Sequence, residues 1–335
     1  MSFFNFSVKL FYRAKKSILL AVFISIFGFI FFTIIPSWSA NMGQGYEQLT
    51  NKSRKMIQSY RKALIGNLMP KNNSTYNQRN TECDSSIDWD MLLDDITVTG
   101  AQLVQYFMWT NHSSCHLSHD FGGEMGFNPS GLAGQKAVCI DPKIAPKPGK
   151  CIVYSFGIDN EWSFDEKMSR YGCEVFAFDP SMGMDHHDHI PGNVHFYNWG
   201  LGDRDEIDHH NNWTYRSLSS IYDELSHRHG RKIIDYLKID IEYSEWLALP
   251  EVIESGMLSY VRQLGMEIHL DIYASLKVHV YWAKLLRTIE KMGMVRFDSE
   301  YNPWSVGNFT KFPLAGSLGY EIAWYNSNLS HVIMP

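Results

Sequence analysis

From Lys150 onward, short apolar runs rich in β-branched and aromatic residues alternate with stretches whose apolar residues recur every three or four positions. A chain built this way closes most simply as a parallel sheet whose crossovers are helices packed on its faces. The runs are Cys151 to Phe156, Cys173 to Phe178, Val194 to Tyr197, Tyr236 to Ile241 and Met266 to Leu270. Between them Phe164, Met168 and Tyr171 share one helical face. So do Leu218, Ile221 and Leu225, then Leu249 and Ile253, then Trp282, Leu285, Leu286 and Ile289. Met294 to Phe297 and Tyr320 to Tyr325 follow, joined by Asp298 to Gly319, which lacks a helical pattern, so these two strands should run antiparallel. The expectation for residues 150–330 is an α/β domain with a mostly parallel, seven-stranded sheet and one antiparallel strand.

The first forty residues bear on the compartment. Ile18 to Ile35 is uncharged for eighteen residues, about 27 Å as a helix and close to the thickness of a bilayer core. Lys9, Arg13, Lys15 and Lys16 precede it and no Lys or Arg follows until Lys52, a bias that keeps the N-terminus cytosolic. The competing reading is a cleaved signal peptide, with Pro36, Ser37 and Ser39 at the cleavage region. The expected organisation is a cytosolic segment (1–17), a transmembrane signal anchor (18–35), a lumenal stalk (36–88), an N-terminal extension (89–149) and the α/β domain. Sequons at Asn51, Asn72, Asn73, Asn111, Asn212, Asn308 and Asn328 agree with a lumenal, glycosylated type II membrane protein of the Golgi or another secretory membrane. Within the extension, Leu92, Ile96, Leu103 and Phe107 predict a helix over Asp90 to Trp109, and the Gly-, His- and Ser-rich Ser113 to Ser130 predicts a cap-like loop.

Net charge is −6 with no cluster of Lys or Arg beyond the N-terminus, which disfavours a nucleic-acid partner. The five cysteines lack zinc-ribbon spacing. Cys115 and Cys139 flank the Gly-rich loop and suit a disulfide, whereas Cys151 and Cys173 read as easily as buried thiols.

The chemistry sits at strand ends. The first strand ends Ser155-Phe156-Gly157-Ile158-Asp159-Asn160, where Gly157 permits a tight turn and close approach of a ligand. The second ends Phe178-Asp179-Pro180, placing an acid 22 residues after Gly157, the spacing at which nucleotide-binding α/β folds present a carboxylate to ribose. The fourth ends Ile239-Asp240-Ile241-Glu242, two acids aimed at the same cleft.

The stretches YSFGIDNEWSFDEKM, CEVFAFDPSM and LKIDIEYSEW, with the upstream CHLSHDFGGEMGF and KAVCIDP, resemble the methyltransferase-like protein 24 family, related to FkbM-type methyltransferases. The likeness runs from about Cys115 to Tyr325. It implies a class I methyltransferase, Rossmann-like fold, S-adenosylmethionine as cofactor, and binding by Ser155, Phe156, Gly157, Asp159, Asn160, Asp179, Pro180 and Asp240. Asp179 would meet the ribose. Asp240, Glu242 and His269 are the candidate catalytic bases, and the acceptor is a glycan, a secreted protein or a small molecule. One departure stands out: FkbM-type proteins carry a glycine-rich turn after the first strand, and here Asp159, Asn160, Glu161 and Trp162 occupy it. That motivates an alternative, a degenerate methyltransferase fold kept as a binding module.

Two other motifs carry weaker alternatives. Asp185-His186-His187-Asp188-His189, with His209 and His210 nearby, is rich in metal-ligand types but reads as a solvated loop, so no metal is expected. Asp203-Arg204-Asp205 imitates the paired aspartates of Golgi glycosyltransferases.

Overall fold

The computed structural model describes residues 87–330 except 128, 129, 191, 312 and 313. The expected anchor at 18–35 and nearly all of the expected stalk at 36–88 lie outside the described residues. Among the described residues no helix is long and apolar enough to cross a membrane.

The centre is one mixed sheet of β1 (Ile152–Phe156), β2 (Glu174–Phe178), β3 (His187–His189), β4 (Val194–Tyr197), β5 (Tyr236–Ile239), β6 (Gln263–His269), β7 (Met294–Tyr301) and β8 (Gly319–Asn326). Its order is β7-β8-β6-β5-β1-β2-β4-β3. Every residue of β1, β5 and β6 is buried, as expected of parallel strands covered on both faces. The cover comes from α3 (Ser163–Tyr171), α4 (Leu218–Glu224), α5 (Glu245–Glu254) and α6 (Leu276–Lys291). On α6 the apolar stripe Trp282, Leu285, Leu286 and Ile289 is buried, and Trp282 stacks on Trp246 of α5 with ring centroids 4.8 Å apart. The chain leaves β1 towards β2 on one side while β5 pairs on the other. Strand order therefore reverses at β1 and opens a crevice at the carboxyl ends of β1 and β5.

Three expectations need correction. The sheet has eight strands with two reversed, β8 between β6 and β7 and β3 on β4, where seven with one reversed was expected. β3 comes from the His-rich run taken for a loop: His187 lies against Phe196 and His189 stacks on Trp162 at 3.9 Å. Those ring contacts hold a short strand over the edge of β4, which would otherwise be open to further pairing.

Second, the single helix expected over Asp90 to Trp109 is two, α1 (Trp89–Asp94) and α2 (Gly100–Met108), and Ile96 between them is 99% exposed. Asp95 Oδ1 accepts from both the N–H and the hydroxyl of Thr97 at 2.8 Å, and Thr99 with Gln102 forms a capping box that starts α2 afresh. Local side-chain bonds of this kind compete with helix continuation. Third, the two long loops hold β-hairpins: Ser118–Phe121 pairs with Lys136–Cys139, Glu124–Phe127 with Ser130–Ala133, and Val306–Phe309 with Leu314–Ser317.

The extension is fastened to the sheet. Arg296 of β7, with a fully buried guanidinium, donates to Glu290 and to the carbonyls of Tyr106 in the last turn of α2 and of Trp109 just beyond it. Disulfides join Cys115 to Cys139 and Cys151 to Cys173. For the second pair, which the sequence leaves open between a bridge and buried thiols, the strands decide. Cys151 and Cys173 immediately precede the neighbouring strands β1 and β2, which brings their Cα atoms to 4.7 Å, within bonding range. Each bridge spans a sequence separation of 24 or 22 residues, a loop whose closure stabilises by about 3 kcal/mol. Replacing both Cys151 and Cys173 by Ser is expected to lower Tm by roughly 6–12 °C in calorimetry. An unchanged Tm would show that the bridge does not form.

Candidate functional site

The turn after β1 shows how this chain manages without a glycine-rich loop. Gly157 has φ +78°, and a Cβ added there would lie 1.6 Å from the Asp240 carbonyl oxygen at the end of β5. Glycine is required at that crossing. Asp159 and Asn160 also have positive φ, 44° and 60°, and Asx residues are the non-glycines that best tolerate this region. The backbone thus follows a path usually left to glycine, at a cost of order 1 kcal/mol per residue. Asn160 is exposed, Trp162 is stacked on His189, and neither lines the crevice.

Asp179 clamps that turn. Its Oδ2 accepts from the N–H groups of Ile158 (2.8 Å) and Asp159 (2.9 Å), and its Oδ1 from the N–H (2.8 Å) and hydroxyl (2.6 Å) of Ser181. Four donors fill the four acceptor sites of a carboxylate. In this arrangement Asp179 shapes the crevice that it lines, and a ribose hydroxyl would meet it by sharing or displacing one of these bonds. Asp179→Asn turns one acceptor oxygen into a donor facing donors, which should lower stability by about 1–3 kcal/mol in urea unfolding. An unchanged midpoint would remove the clamp.

The strand ends meet in a cavity of ≈ 860 Å³. Phe156, Gly157, Asp159, Asp179, Pro180, Asp240, Glu242 and His269 all line it; Ser155, fully buried inside the sheet, does not. Seven carboxylates face it (Asp159, Glu161, Asp179, Asp240, Glu242, Glu267 and Glu321) against the ammonium of Lys238 and the ring of His269. Trp213, Tyr215, Tyr301 and Trp304 add aromatic walls, and Leu132 to Gln135 come in from the extension.

The three candidate bases are not equivalent. Burial alone would raise the Asp240 carboxyl, but Lys136 and Lys238 outweigh it and hold the pKa at about 2. Lys136 Nζ lies 3.1 Å from Asp240 and 2.7 Å from Glu321, and Lys238 Nζ 3.8 Å from Asp240. Asp240 is therefore a weak base. His269 shares its Nδ1 with Glu245 at 3.2 Å, and its Nε2 lies 3.5 Å from both Glu242 and Glu267. Burial opposes its charge, yet the Glu245 bond and the three glutamates raise the pKa to about 9. A ring held charged is a poor proton acceptor, so His269, a candidate base by its place in the cleft, fits better the other reading of it, a buried and hydrogen-bonded strand residue. Glu242 remains. Its side chain is 79% exposed, its carboxyl is raised by partial desolvation, and it stands with Tyr243 on backbone of positive φ, 48° and 72°. Two successive strained non-glycine residues, one of them a tyrosine, mark the loop after β5 as functional backbone.

Sequence reading missed Lys136, Lys238, Glu267 and Glu321. Their signal was present: each is a charge within an otherwise apolar strand, where an ion survives only with a partner. Trp213 and Tyr215 belong to a short strand outside the main sheet (Trp213–Arg216), Tyr301 ends β7 and Trp304 sits in the turn after it, and no pattern marked them.

The two other motifs are used structurally. Asp205 accepts from the Ser217 N–H and the Ser220 hydroxyl at the start of α4, Arg204 pairs with Asp203 and Glu206, and neither Asp203 nor Asp205 lines the cavity. His186 contacts Asn198, and Asp188 contacts His195. Two groupings on the cavity floor have ligand-like spacing, Asp240/Glu242/His269 and Asp240/Glu267/Glu321. In the first, the His269 ring also faces Glu245 and Glu267, and in the second, Lys136 bridges Asp240 and Glu321.

Over residues 109–313 the chain matches a family model described as a methyltransferase domain. It is similar to the Homo sapiens "Probable methyltransferase-like protein 24", 28% identical over 247 residues that cover 68% of this chain and 64% of that protein. It is also similar to the Rattus norvegicus protein of the same name, 27% identical over 209 residues, 57% of this chain and 55% of that one. The matched regions thus take in less than two thirds of either relative.

Proposed function

The chain belongs to this methyltransferase-domain family, and we propose that it is an S-adenosylmethionine-dependent methyltransferase, anchored as a type II membrane protein and acting in the secretory lumen. The observation that carries the cofactor is the convergence of Gly157, Asp179 and Asp240 on one acid-lined cavity. A surplus of carboxylates favours a sulfonium cation and disfavours polyanions such as nucleic acid or a sugar nucleotide. Within the fold, Gly157 and its turn, Pro180 and Asp240 would hold S-adenosylmethionine, which when bound supplies a methyl group on a positively charged sulfur.

The chain's own contribution is to hold the acceptor in line and to take its proton, with Glu242 as the base. Glu242→Gln should cut methyl transfer by about 10²–10⁴-fold while cofactor affinity stays within a few fold. Because the carboxyl is raised, the wild-type rate should climb with pH through that raised pKa and then level off. Transfer by the glutamine variant at the wild-type rate would remove Glu242 from the reaction.

Two disulfides and four exposed sequon asparagines, Asn111, Asn212, Asn308 and Asn328, support the lumenal reading. The functional test is incubation of the chain with methyl-labelled cofactor and secreted or membrane fractions. Label appearing in a glycan, protein or small molecule is expected; its absence from all three favours a second reading, a binding module. That reading has its own observation, the saturation of Asp179 by donors of its own turn.

A further inference from the structure

The cavity is short of positive charge. Seven acidic side chains line it, with Glu245 behind His269. Burial raises the carboxyls of Glu321, Glu245 and Glu242, and the remaining five, Asp159, Glu161, Asp179, Asp240 and Glu267, still outnumber the three cations Lys136, Lys238 and His269. Those three are already committed. Lys136 bridges Asp240 and Glu321, Lys238 lies against the carbonyls of Phe156 and Gly157, and His269 is shared by Glu242, Glu245 and Glu267. S-adenosylmethionine brings one net positive charge and does not close the gap. Two buried oxygens on the lining have no hydrogen-bond partner, Glu321 Oε2 and Gln135 Oε1, and the second, an amide carbonyl that can only accept, calls for a donor from a ligand. The rings of Tyr243, Tyr301 and Trp304 line the same cavity, and aromatic faces beside carboxylates attract ammonium ions.

We propose that the methyl acceptor is a protonated primary amine of the kind carried by a lysine side chain, held by Glu242, Glu267 and Glu321 beside the rings of Tyr301 and Trp304. The identity of the acceptor as a substrate rests on the methyltransferase reading; amine binding does not. The step balances. Glu242 takes a proton from the ammonium, and the nitrogen lone pair then forms a bond to the methyl carbon. The carbon–sulfur bond breaks with its electron pair left on sulfur, giving a neutral thioether and a methylated ammonium. Glu242, open at the cavity mouth, passes its proton to water.

The test compares Nα-acetyl-lysine methylamide with its 6-hydroxynorleucine counterpart, which replaces the ammonium by a hydroxyl. Both are titrated into the full chain without cofactor, read by tryptophan fluorescence. The amine is expected to bind at least about tenfold more tightly at low salt, since a charged hydrogen-bonded contact is worth that factor or more. The gap should shrink as salt rises and fall about tenfold in Glu242→Gln, whose exposed side chain carries no fold, and in the isosteric Glu267→Gln. Equal binding, tighter binding of the hydroxyl compound, or a gap that survives both substitutions overturns the proposal. A parallel titration with S-adenosylmethionine separates the two ideas: failure there removes the methyltransferase reading and leaves the amine result standing on its own.

Discussion

Gly157→Ala is expected to destabilise the domain by more than about 4 kcal/mol, in the exceptional tail of single substitutions. The new methyl group would sit 1.6 Å from the Asp240 carbonyl oxygen, and the obstacle is backbone at the end of a buried strand, which has no rotamer to change. The positive φ of residue 157 adds about 1–2 kcal/mol for any residue with a Cβ. Relief means parting β1 from β5, whose register runs from Tyr236 opposite Val153 to Ile239 opposite Phe156. Urea unfolding is the measurement, with the possibility that the variant does not fold at 25 °C. A loss of less than about 1 kcal/mol would mean that the β1 turn and the β5 end do not cross as described.

The second large effect is that of Lys136. Replacing it by Met keeps the aliphatic stem and removes the ammonium, leaving Asp240 and Glu321 in a buried site with their bridge gone. Breaking a buried pair in this way costs about 3–5 kcal/mol. Its pH dependence has a definite sign. In the wild type the Asp240 carboxyl is held at about 2, below its ordinary 3.8, so it adds stability that is full above 3.8 and is lost as pH falls through 2. Burial already raises the Glu321 carboxyl well above its ordinary value with Lys136 in place; without Lys136 both buried carboxyls lose their nearest counter-charge and rise further, and acidification then stabilises. The deficit of Lys136→Met relative to wild type should therefore narrow between pH 7 and pH 4. A deficit that is constant or grows over that range would show that Lys136 acts through packing and not through charge.

The α/β frame was legible because its signals are local and repeated. Val194 to Tyr197 was placed at its observed bounds, and the apolar faces around Phe164, Leu218, Leu249 and Trp282 were all found on helices. Gly157, Asp179 and Asp240 were legible because strand ends of a parallel sheet gather at one edge, so position along the strand stands in for position in space. What failed was decided by partners far away in the chain. Ile96 matched a helical stripe, but Asp95 and Thr97 preferred each other. His269 read as a base until three glutamates from β6, α5 and the loop before it surrounded the ring. Lys136, about a hundred residues before Asp240 in the chain, reached the cavity only through a hairpin that a Gly- and His-rich text concealed. The bond between Asp179 and its own turn was invisible for another reason: spacing marks an acid near a ribose site, and it does not say whether nearby N–H groups have already taken the oxygens.

The most direct measurement of the central claim, that the carboxyl ends of β1, β2 and β5 form a cofactor crevice, is calorimetric titration of the folded chain with S-adenosylmethionine. One saturable site is predicted, weakened at least about tenfold in Asp240→Asn, which removes a carboxylate from the crevice lining. The absence of saturable heat from a chain that melts cooperatively, or affinity indifferent to Asp240, would contradict it.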